Sequence, residues 1–478
     1  MRKYILVAIL PLAGCLGPTT PQLGPAPLPQ AFSEQVRATL TAPDDGDAQW
    51  WRLFRDETLE KLLEAGQMSN LDIRQAKARL DAAEAGITVA GAGAFPSLTL
   101  GAAHTVSRES GPMRRTPGYV HTSLYSLSSG WLVDIFGEVR SQVQSAEAGR
   151  DAARAGTEVA RLAVTSAITT SYVDARFHQE LRTIAARTVE SRRRTLNLTR
   201  MQAREGISSG LDVARAEEAV QAVEAELPVH DANFRRSVHR LSTLIGQPAA
   251  SLVPLIDASS GQPAPAWRAQ TGVPADLVRN RPDVRQSEFE FISAVADIGY
   301  AWSQLFPSIS ISGSITPSFV RTSAARGALT SWSFGPTLRL PIFDGGRLRA
   351  NVAIAVARAE EKQAGWRASV LKAVEEVENA LVSFNRETLT QASLTLRSQA
   401  SQRAVNLSSS AYRGGVSSLF ELLNAERLLY EAQTARAQSR RNLALQYVAL
   451  NIAVGRGLPG PGRVTQPPAP PPPAPVSH

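Results

Sequence analysis

The clearest periodicity in the chain is a two-residue alternation at 308–315. Ser308, Ser310, Ser312 and Ser314 interleave there with Ile309, Ile311 and Ile315. In an extended chain, period two puts the isoleucines on one side and the serines on the other. A turn-rich segment follows at 321–327, and then a second alternating run at 331–340 places Trp332, Phe334, Leu338 and Leu340 on a common side. Together these predict a β-hairpin. The same succession occurs earlier, less regularly: Ser97-Leu98-Thr99-Leu100, a turn-rich stretch at 108–117, then a return through Tyr125, Leu127, Trp131 and Val133. Strands of about ten to fourteen residues suit a tilted bilayer crossing, which needs ~9–11. One face would meet lipid and the serine face water, as in a barrel strand with a wet lumen. Trp131 and Trp332 are candidates for an interfacial girdle. Alternation by itself equally fits a soluble hairpin with one buried face.

Around the hairpins the pattern turns helical. Residues 70–94 and 283–305 are rich in Ala, Arg, Gln and Glu, all good helix formers, and each run is closed by a proline, Pro96 or Pro307. After each hairpin, 138–204 and 347–412 run without a proline. At 1.5 Å per residue, ~65 residues span on the order of 100 Å. A helix of that length needs lateral partners, as in a coiled coil or helical barrel. Each is predicted to end at a glycine-containing turn, 205–210 or 414–418, where a returning helix begins.

The two halves are copies of one unit. Asp72-Ile73-Arg74-Gln75 pairs with Asp283-Val284-Arg285-Gln286 (283 against 72, an offset of 211), and Phe95-Pro96-Ser97 pairs with Phe306-Pro307-Ser308 at the same offset. Ile135-Phe136 matches Ile342-Phe343. Gly206-Ile207-Ser208-Ser209 matches Gly415-Val416-Ser417-Ser418 (415 against 206, an offset of 209), as do Ala216-Glu217 and Ala425-Glu426. Ordered landmarks at nearly constant spacing are the mark of an internal duplication. Four strands per chain cannot close a barrel, since single-chain barrels begin at about eight, and unpaired strand edges in lipid are costly. Several chains would therefore share one barrel.

The start of the chain changes the compartment. Arg2 and Lys3 precede an apolar stretch, 4–12, too short to span a bilayer, and Leu12-Ala13-Gly14-Cys15 follows. This resembles a bacterial lipoprotein leader, cut before Cys15, whose thiol then carries fatty acyl chains such as palmitate. Each buried methylene adds ~0.8 kcal/mol to the anchor. Leu16 resembles the outer-membrane sorting default. Cys15 is the only cysteine, so no intramolecular disulfide forms. The expected organisation is a signal peptide at 1–14, a lipidated tether at 15–48, a first repeat at 49–247, an inter-repeat segment at 248–280, a second repeat at 281–457 and a Pro-rich tail at 458–478. The net charge of +8 falls to +6 once Arg2 and Lys3 are removed. The basic residues are spread along helical stretches without interleaved aromatics, which argues against nucleic acid as a partner. Beyond the leader no apolar run reaches ~18 residues.

The ordered set of motifs resembles the TolC-type outer-membrane efflux channel family, in its lipoprotein branch. It comprises Trp50-Trp51 with Phe54 and Asp56, both Phe-Pro-Ser steps, Asp134-Ile135-Phe136-Gly137, Arg281-Pro282-Asp283, Pro341-Ile342-Phe343-Asp344-Gly345-Gly346, and Tyr412 with Gly415, Glu421, Leu422, Leu423 and Ala425-Glu426. The resemblance implies a mixed α+β membrane protein. Its homotrimer would form a twelve-stranded transmembrane β-barrel, continued by a twelve-helix periplasmic α-barrel with an equatorial belt near 248–274 and the termini. It implies an outer-membrane localisation reaching into the periplasm, and a passive role in drug or small-molecule export. The implied partners are a periplasmic adaptor and an inner-membrane transporter, often of the resistance-nodulation-division type. No cofactor is implied beyond the lipid on Cys15. It also implies a periplasmic gate. Tyr412 matches the gate tyrosine, Glu421 and Asn424 stand where many members carry an aspartate pair, and Asp212 is the first-repeat counterpart. Threefold symmetry would turn Asp212 and Glu421 into rings of negative charge that attract cations. Asn424 departs from the aspartate pattern and leaves its ring uncharged. Arg215 would pair with a carboxylate to hold the gate shut. Ordinary capping charges at a solvated helix end are the plainer account of the same residues.

Enzyme chemistry finds one match by spelling. Gly206-Ile207-Ser208-Ser209-Gly210 fits G-x-S-x-G, but that motif needs a strand before it. Here a long polar helix precedes it, and the second copy lacks the final glycine. The six histidines show no metal-ligand spacing. Asp44-Asp45-Gly46-Asp47 lacks the rest of a calcium loop. The competing readings are a lipid-anchored periplasmic coiled-coil scaffold or adhesin without a pore, and a lipid-anchored hydrolase using Ser208.

Overall fold

The computed structural model describes residues 20–22, 24, 32–33, 49–109, 118–258, 261–264, 281–322 and 325–457. The leader, Cys15, most of the tether, the tip of the first hairpin, residues 265–280 and the Pro-rich tail lie outside the described residues. After a short 3-10 turn at Trp50–Phe54 the elements run α1 (Glu57–Ser69), α2 (Leu71–Ala92), β1 (Ser97–Glu109), β2 (Gly118–Val133), α3 (Glu138–Arg204), α4 (Gly210–Glu224), α5 (Leu227–Leu244) and α6 (Val253–Asp257). The second half continues with α7 (Pro282–Ser303), β3 (Ser308–Arg321), β4 (Arg326–Arg339), α8 (Arg347–Arg413) and α9 (Leu419–Ala453). Among the described residues no helix is long and apolar enough to cross a membrane. The chain divides into two compact units that cut across the repeats. One holds Leu80–Ala153 and Gln286–Arg367, the other Arg154–Arg285 and Ala368–His478 with Pro27–Arg79.

In the first unit the two hairpins form one four-stranded antiparallel sheet in the order β1-β2-β3-β4, so β1 and β4 are its edges. Register is constant from Ser97↔Gly130 to Glu109↔Gly118, and from Ser308↔Arg339 to Arg321↔Arg326. With no slip, the alternation in each strand adds up to two chemically distinct faces. Leu100, Leu127, Ile315 and Trp332 align across the four strands, and Ile311 pairs with Trp131, and Ile309 with both Val133 and Leu338. The opposite face carries Ser128, Ser314 and Ser333 in one row and Ser310 with Thr337 in another. The apolar face is uncovered in the protomer: Trp332 is 78% exposed and Phe334 76%. Between β2 and β3 the pairing breaks opposite Thr316 and Pro317, as expected where proline removes a ladder donor.

The strands are longer than the alternation indicates. The expected turns began at 108 and 321, whereas β1 continues to Glu109 and β3 and β4 are joined by only residues 322–325; β2 begins at Gly118, directly after the expected turn. Arg108, Arg321 and Arg326 are paired strand residues, and their charge had obscured the period. Trp332 lies mid-strand opposite Ile315, so of the two tryptophans only Trp131 sits near a sheet end, donating from Nε1 to the Ala94 carbonyl at 2.9 Å. Both proline-terminated helices close a few residues early, at Ala92 and Ser303. In the same unit α7 lies close against α3. A Cβ on Gly299 would meet Ser141 Oγ at 2.7 Å, and Ser145 and Ser293 exchange a hydroxyl hydrogen bond at 3.0 Å.

The second unit is helical around a core of Phe54, Leu59, Ile168, Tyr172, Phe234, Leu381, Phe384 and Tyr447. Asp56 caps α1 by accepting from Thr58 N and Leu59 N, and its other oxygen accepts from the Tyr172 hydroxyl at 2.6 Å. The duplication shows as a repeated clasp. Asn70 caps α2 through Oδ1 (from Asp72 N, 2.8 Å) and reaches back with Nδ2 to the Leu244 carbonyl at 2.7 Å. At the corresponding place Arg281 donates to Asp283 and to the Ala453 carbonyl at 2.9 Å, with Glu376 completing its partners at 2.7 Å. The clasped return helices differ, however. α9 runs unbroken for 35 residues, whereas its first-repeat counterpart is divided into α4 and α5, with Pro228 in the first turn of α5. Proline cannot donate to the preceding turn, and so it ends α4.

Candidate functional site

The predicted gate residues cluster at the two helix-turn-helix ends of the second unit. Each turn is set by a glycine in the left-handed region, Gly206 (φ 74°) and Gly415 (φ 73°). The following amide reaches back to close the helix, Ile207 N to the Gln202 carbonyl at 2.8 Å and Val416 N to the Ala411 carbonyl at 3.0 Å. A serine then caps the next helix, Ser209 for α4 and Ser418 for α9. This explains the repeated Gly-x-Ser-Ser signature as two helix stops and starts. Ser208 sits within the first turn, its hydroxyl donating to Gln202 Oε1 at 3.3 Å. No strand precedes it, so a nucleophile elbow is not built here.

Tyr412 lies in the last turn of α8 and is 6% exposed, packed with Leu196, Ala216, Val220, Leu419 and Leu422. Its hydroxyl donates to Gln202 Oε1 at 2.7 Å and lies 3.1 Å from Thr199 Oγ1. The tyrosine thus joins the end of α8 to the end of α3. Asp212 closes a capping box with Ser209. Its carboxylate accepts from the Ser209 hydroxyl at 2.7 Å and the Ser209 amide at 3.1 Å. These bonds, with a smaller pull from Arg215, hold its carboxyl below the ordinary aspartate value. Glu421 accepts from the Ser417 hydroxyl, while its amide donates to the Ser418 hydroxyl at 3.3 Å. Asn424 accepts from Arg427 at 2.8 Å.

Arg215 follows Asp212 on the same helix. It is exposed on α4 and forms no ion pair within 4 Å among the described residues of the protomer. The nearby Asp212 carboxylate is already occupied by Ser209. Nor does any hydrogen bond or ion pair join Asp212 or Arg215 to Glu421 or Asn424 within one chain. Cys15 lies outside the described residues.

A polar core that the motifs do not reveal lies one turn deeper. Glu426 is buried and accepts from Thr195 Oγ1 at 3.0 Å and Ser191 Oγ at 3.5 Å, while its Oε2 has no partner. Burial pushes its carboxyl up from 4.5 despite these hydroxyls and the charge of Arg192. Arg192 is buried as well and is pushed down by its own desolvation. The signal was present in the sequence. Arg192, Thr195, Thr199 and Gln202 recur at spacings of three, four and three, the period of an inward helix face normally filled by apolar residues. Beside this core a cavity of about 960 Å³ opens, lined among others by Arg187, Arg194, Arg413, Arg440 and Glu426.

Comparison with known proteins agrees with this geometry. Residues 62–247 and 273–456 each match the family described as outer membrane efflux protein, so the match falls once on each half. The chain is 43% identical over 450 residues to nodulation protein T of Rhizobium leguminosarum bv. trifolii, covering 93% of this chain and 95% of that one. It is 29% identical over 455 residues to a toluene efflux pump outer membrane protein, TtgC, of Pseudomonas putida, covering 92% and 91%. The solved structure of the outer-membrane channel OprN superposes with a TM-score of 0.79 at 32% identity, over 90% of this chain and 98% of that chain.

Proposed function

Since the chain belongs to the outer membrane efflux protein family, we infer that it is the outer-membrane channel of a tripartite efflux system, a passive conduit for drugs or other small molecules. The observation that carries this reading is the four-stranded sheet, with one uncovered apolar face, one serine-rich face and two open edges. Four strands cannot seal a hole in lipid. Three copies joined β1 to β4 make a twelve-stranded barrel with the serines lining a wet lumen. The helices of three copies then make the twelve-helix periplasmic barrel, and Cys15 supplies a lipid anchor in the outer membrane. A periplasmic adaptor and an inner-membrane transporter of the resistance-nodulation-division type complete the assembly, and the transporter supplies the energy.

In this reading the helical turns form the periplasmic gate. Tyr412 latches the end of α8 to α3, while Asp212 and Glu421 repeat around the threefold axis as rings of negative charge. Asn424 adds an uncharged ring, and Arg215 pairs with a carboxylate in the assembled ring to hold the gate shut. Purified from the outer membrane in detergent, the protein is expected to run as a heat-modifiable trimer and to form pores in planar bilayers. A water-soluble monomer without pore activity would sink the reading. Tyr412→Phe combined with Asp212→Ala is expected to raise single-channel conductance, and unchanged conductance would remove these residues from the gate.

A further inference from the structure

Resting on the barrel reading above, we propose that the loop end of the apolar sheet face binds the phosphorylated headgroups of outer-leaflet lipid. The face is apolar along most of its height and then becomes basic. His121, Arg321 and Arg326 align in one row across β2, β3 and β4. His104 stands one row before them, 2.9 Å from Ser123 through Nδ1, with its ring centroid 5.9 Å from that of His121. Arg108 stands one row beyond, over the ring of Tyr119 at 5.5 Å. His104, His121, Ser123, Phe319, Arg321 and Arg326 line a depression of about 510 Å³.

Charge on this face is one-signed and one-ended. No Asp or Glu occurs in β2, β3 or β4, nor in β1 before Glu109. At the other end the same face carries Leu98, Trp131, Val133, Ile309 and Leu338. The position of the basic row matches the height of a membrane. The ten residue steps from Ile309 to Phe319 rise about 34 Å along the strand, and about 25 Å along the axis of a barrel with ordinary tilt. That is the height of a barrel's apolar band. Arg321 is the next residue on the same face, so its guanidinium reaches the headgroup layer rather than acyl chains. Guanidinium is the side chain suited to holding phosphate by paired donors, and the neighbouring imidazoles add donors when protonated. The same depression is also walled by Phe319 and Ala328, apolar surface that a purely aqueous anion site does not require. A lipid presents both chemistries at once, phosphate above and acyl chain below.

The test uses the full-length trimer in detergent, with bound lipid counted by native mass spectrometry. The probes are a diphosphorylated lipid A, its dephosphorylated counterpart with the same acyl chains, and inorganic phosphate as competitor. The wild type is expected to prefer the diphosphorylated lipid by about tenfold or more. Arg321→Gln with Arg326→Gln should erase that preference, Arg321→Lys with Arg326→Lys should keep most of it, and excess inorganic phosphate should not displace the lipid. Equal binding of the two lipids by the wild type overturns the proposal, and this arm stands even where a variant fails to assemble. A preference that survives the glutamine pair also overturns it, as does displacement by phosphate alone, which marks a free-anion site. Planar-bilayer conductance of the same preparation reports on the barrel separately. A conducting trimer indifferent to phosphate removes the lipid site alone, whereas loss of trimer and conductance in the wild type removes the barrel.

Discussion

At Gly206 and at Gly415 the chain makes the same turn twice, with nearly equal φ values and a capping serine at the same spacing, Ser209 and Ser418. What packs behind the two turns is different. In the first repeat Glu217 is half exposed and pairs with Arg200 at 2.7 Å on the surface. Its counterpart Glu426, at the same distance from the turn, is buried among hydroxyls beside Arg192. Tyr412 precedes the second turn, where the first has Ala203. Duplication preserved the backbone device, which depends on a glycine and a capping hydroxyl. The side chains behind it differ, and Tyr412 and Glu426 of the second copy are buried against hydroxyls and an amide of α3 in the first.

That contrast breaks most sharply at the two glutamates. Glu426→Ala removes the acceptor of Thr195 and Ser191 and leaves buried donors and a void, at a cost of about 2–3 kcal/mol. Glu217→Ala is expected to stay within about 0.5 kcal/mol, as an exposed pair does. Thermal melting of the trimer and amide exchange over 191–199 measure both, and equal effects would abolish the distinction. Glu426→Gln sharpens it further. Because the folded carboxyl sits above its unfolded value, the native state holds the extra proton between the two. Stability is then greatest below the ordinary carboxylate range and falls as pH rises through the folded value. The glutamine mimics the protonated form, so it should remove this pH dependence and match or exceed wild-type stability at neutral pH.

The shared backbone gives the next effect. Nothing lies within 4 Å of a Cβ added at either Gly206 or Gly415, so only the left-handed conformation is penalised. Gly206→Ala and Gly415→Ala should each cost about 1–2 kcal/mol, and unequal melting shifts would show that the turns are not equivalent. The smallest effect separates the caps. Ser209 closes a capping box with Asp212 in both directions, whereas Ser418 accepts a single bond at 3.3 Å. Ser209→Ala should cost about 1 kcal/mol and Ser418→Ala about half that.

Much of this architecture was legible in the chain because it rests on local rules. Serine-isoleucine alternation identified β3, uninterrupted helix formers identified α3 and α8, and the repeated Gly-x-Ser-Ser located both turns. Signals failed where tertiary context overrode them. Arg321 and Arg326 read as turn residues because charge broke the period, although register makes them strand. Asp212 and Glu421 were legible as carboxylates at a helix start. Their engagement by Ser209 and Ser417 depends on cap geometry that the letters alone do not fix. Burial of Glu426 was hidden because nothing local marks which side of α9 will be covered, whereas the inward polar face of α3 at Arg192, Thr195, Thr199 and Gln202 was written in its spacing. The break between α4 and α5 is marked in the letters by Pro228, which has no counterpart in α9.

The open edges at β1 and β4 have a consequence for how the pore is made. Each leaves a row of backbone donors and acceptors that hydrocarbon cannot satisfy, so no subunit enters the bilayer on its own. In the three-copy barrel proposed above, the copies must meet before or during entry, so scarce protein would assemble disproportionately slowly. A chain damaged at either edge does more than fail, because it occupies a place in the ring and disables two intact companions with it.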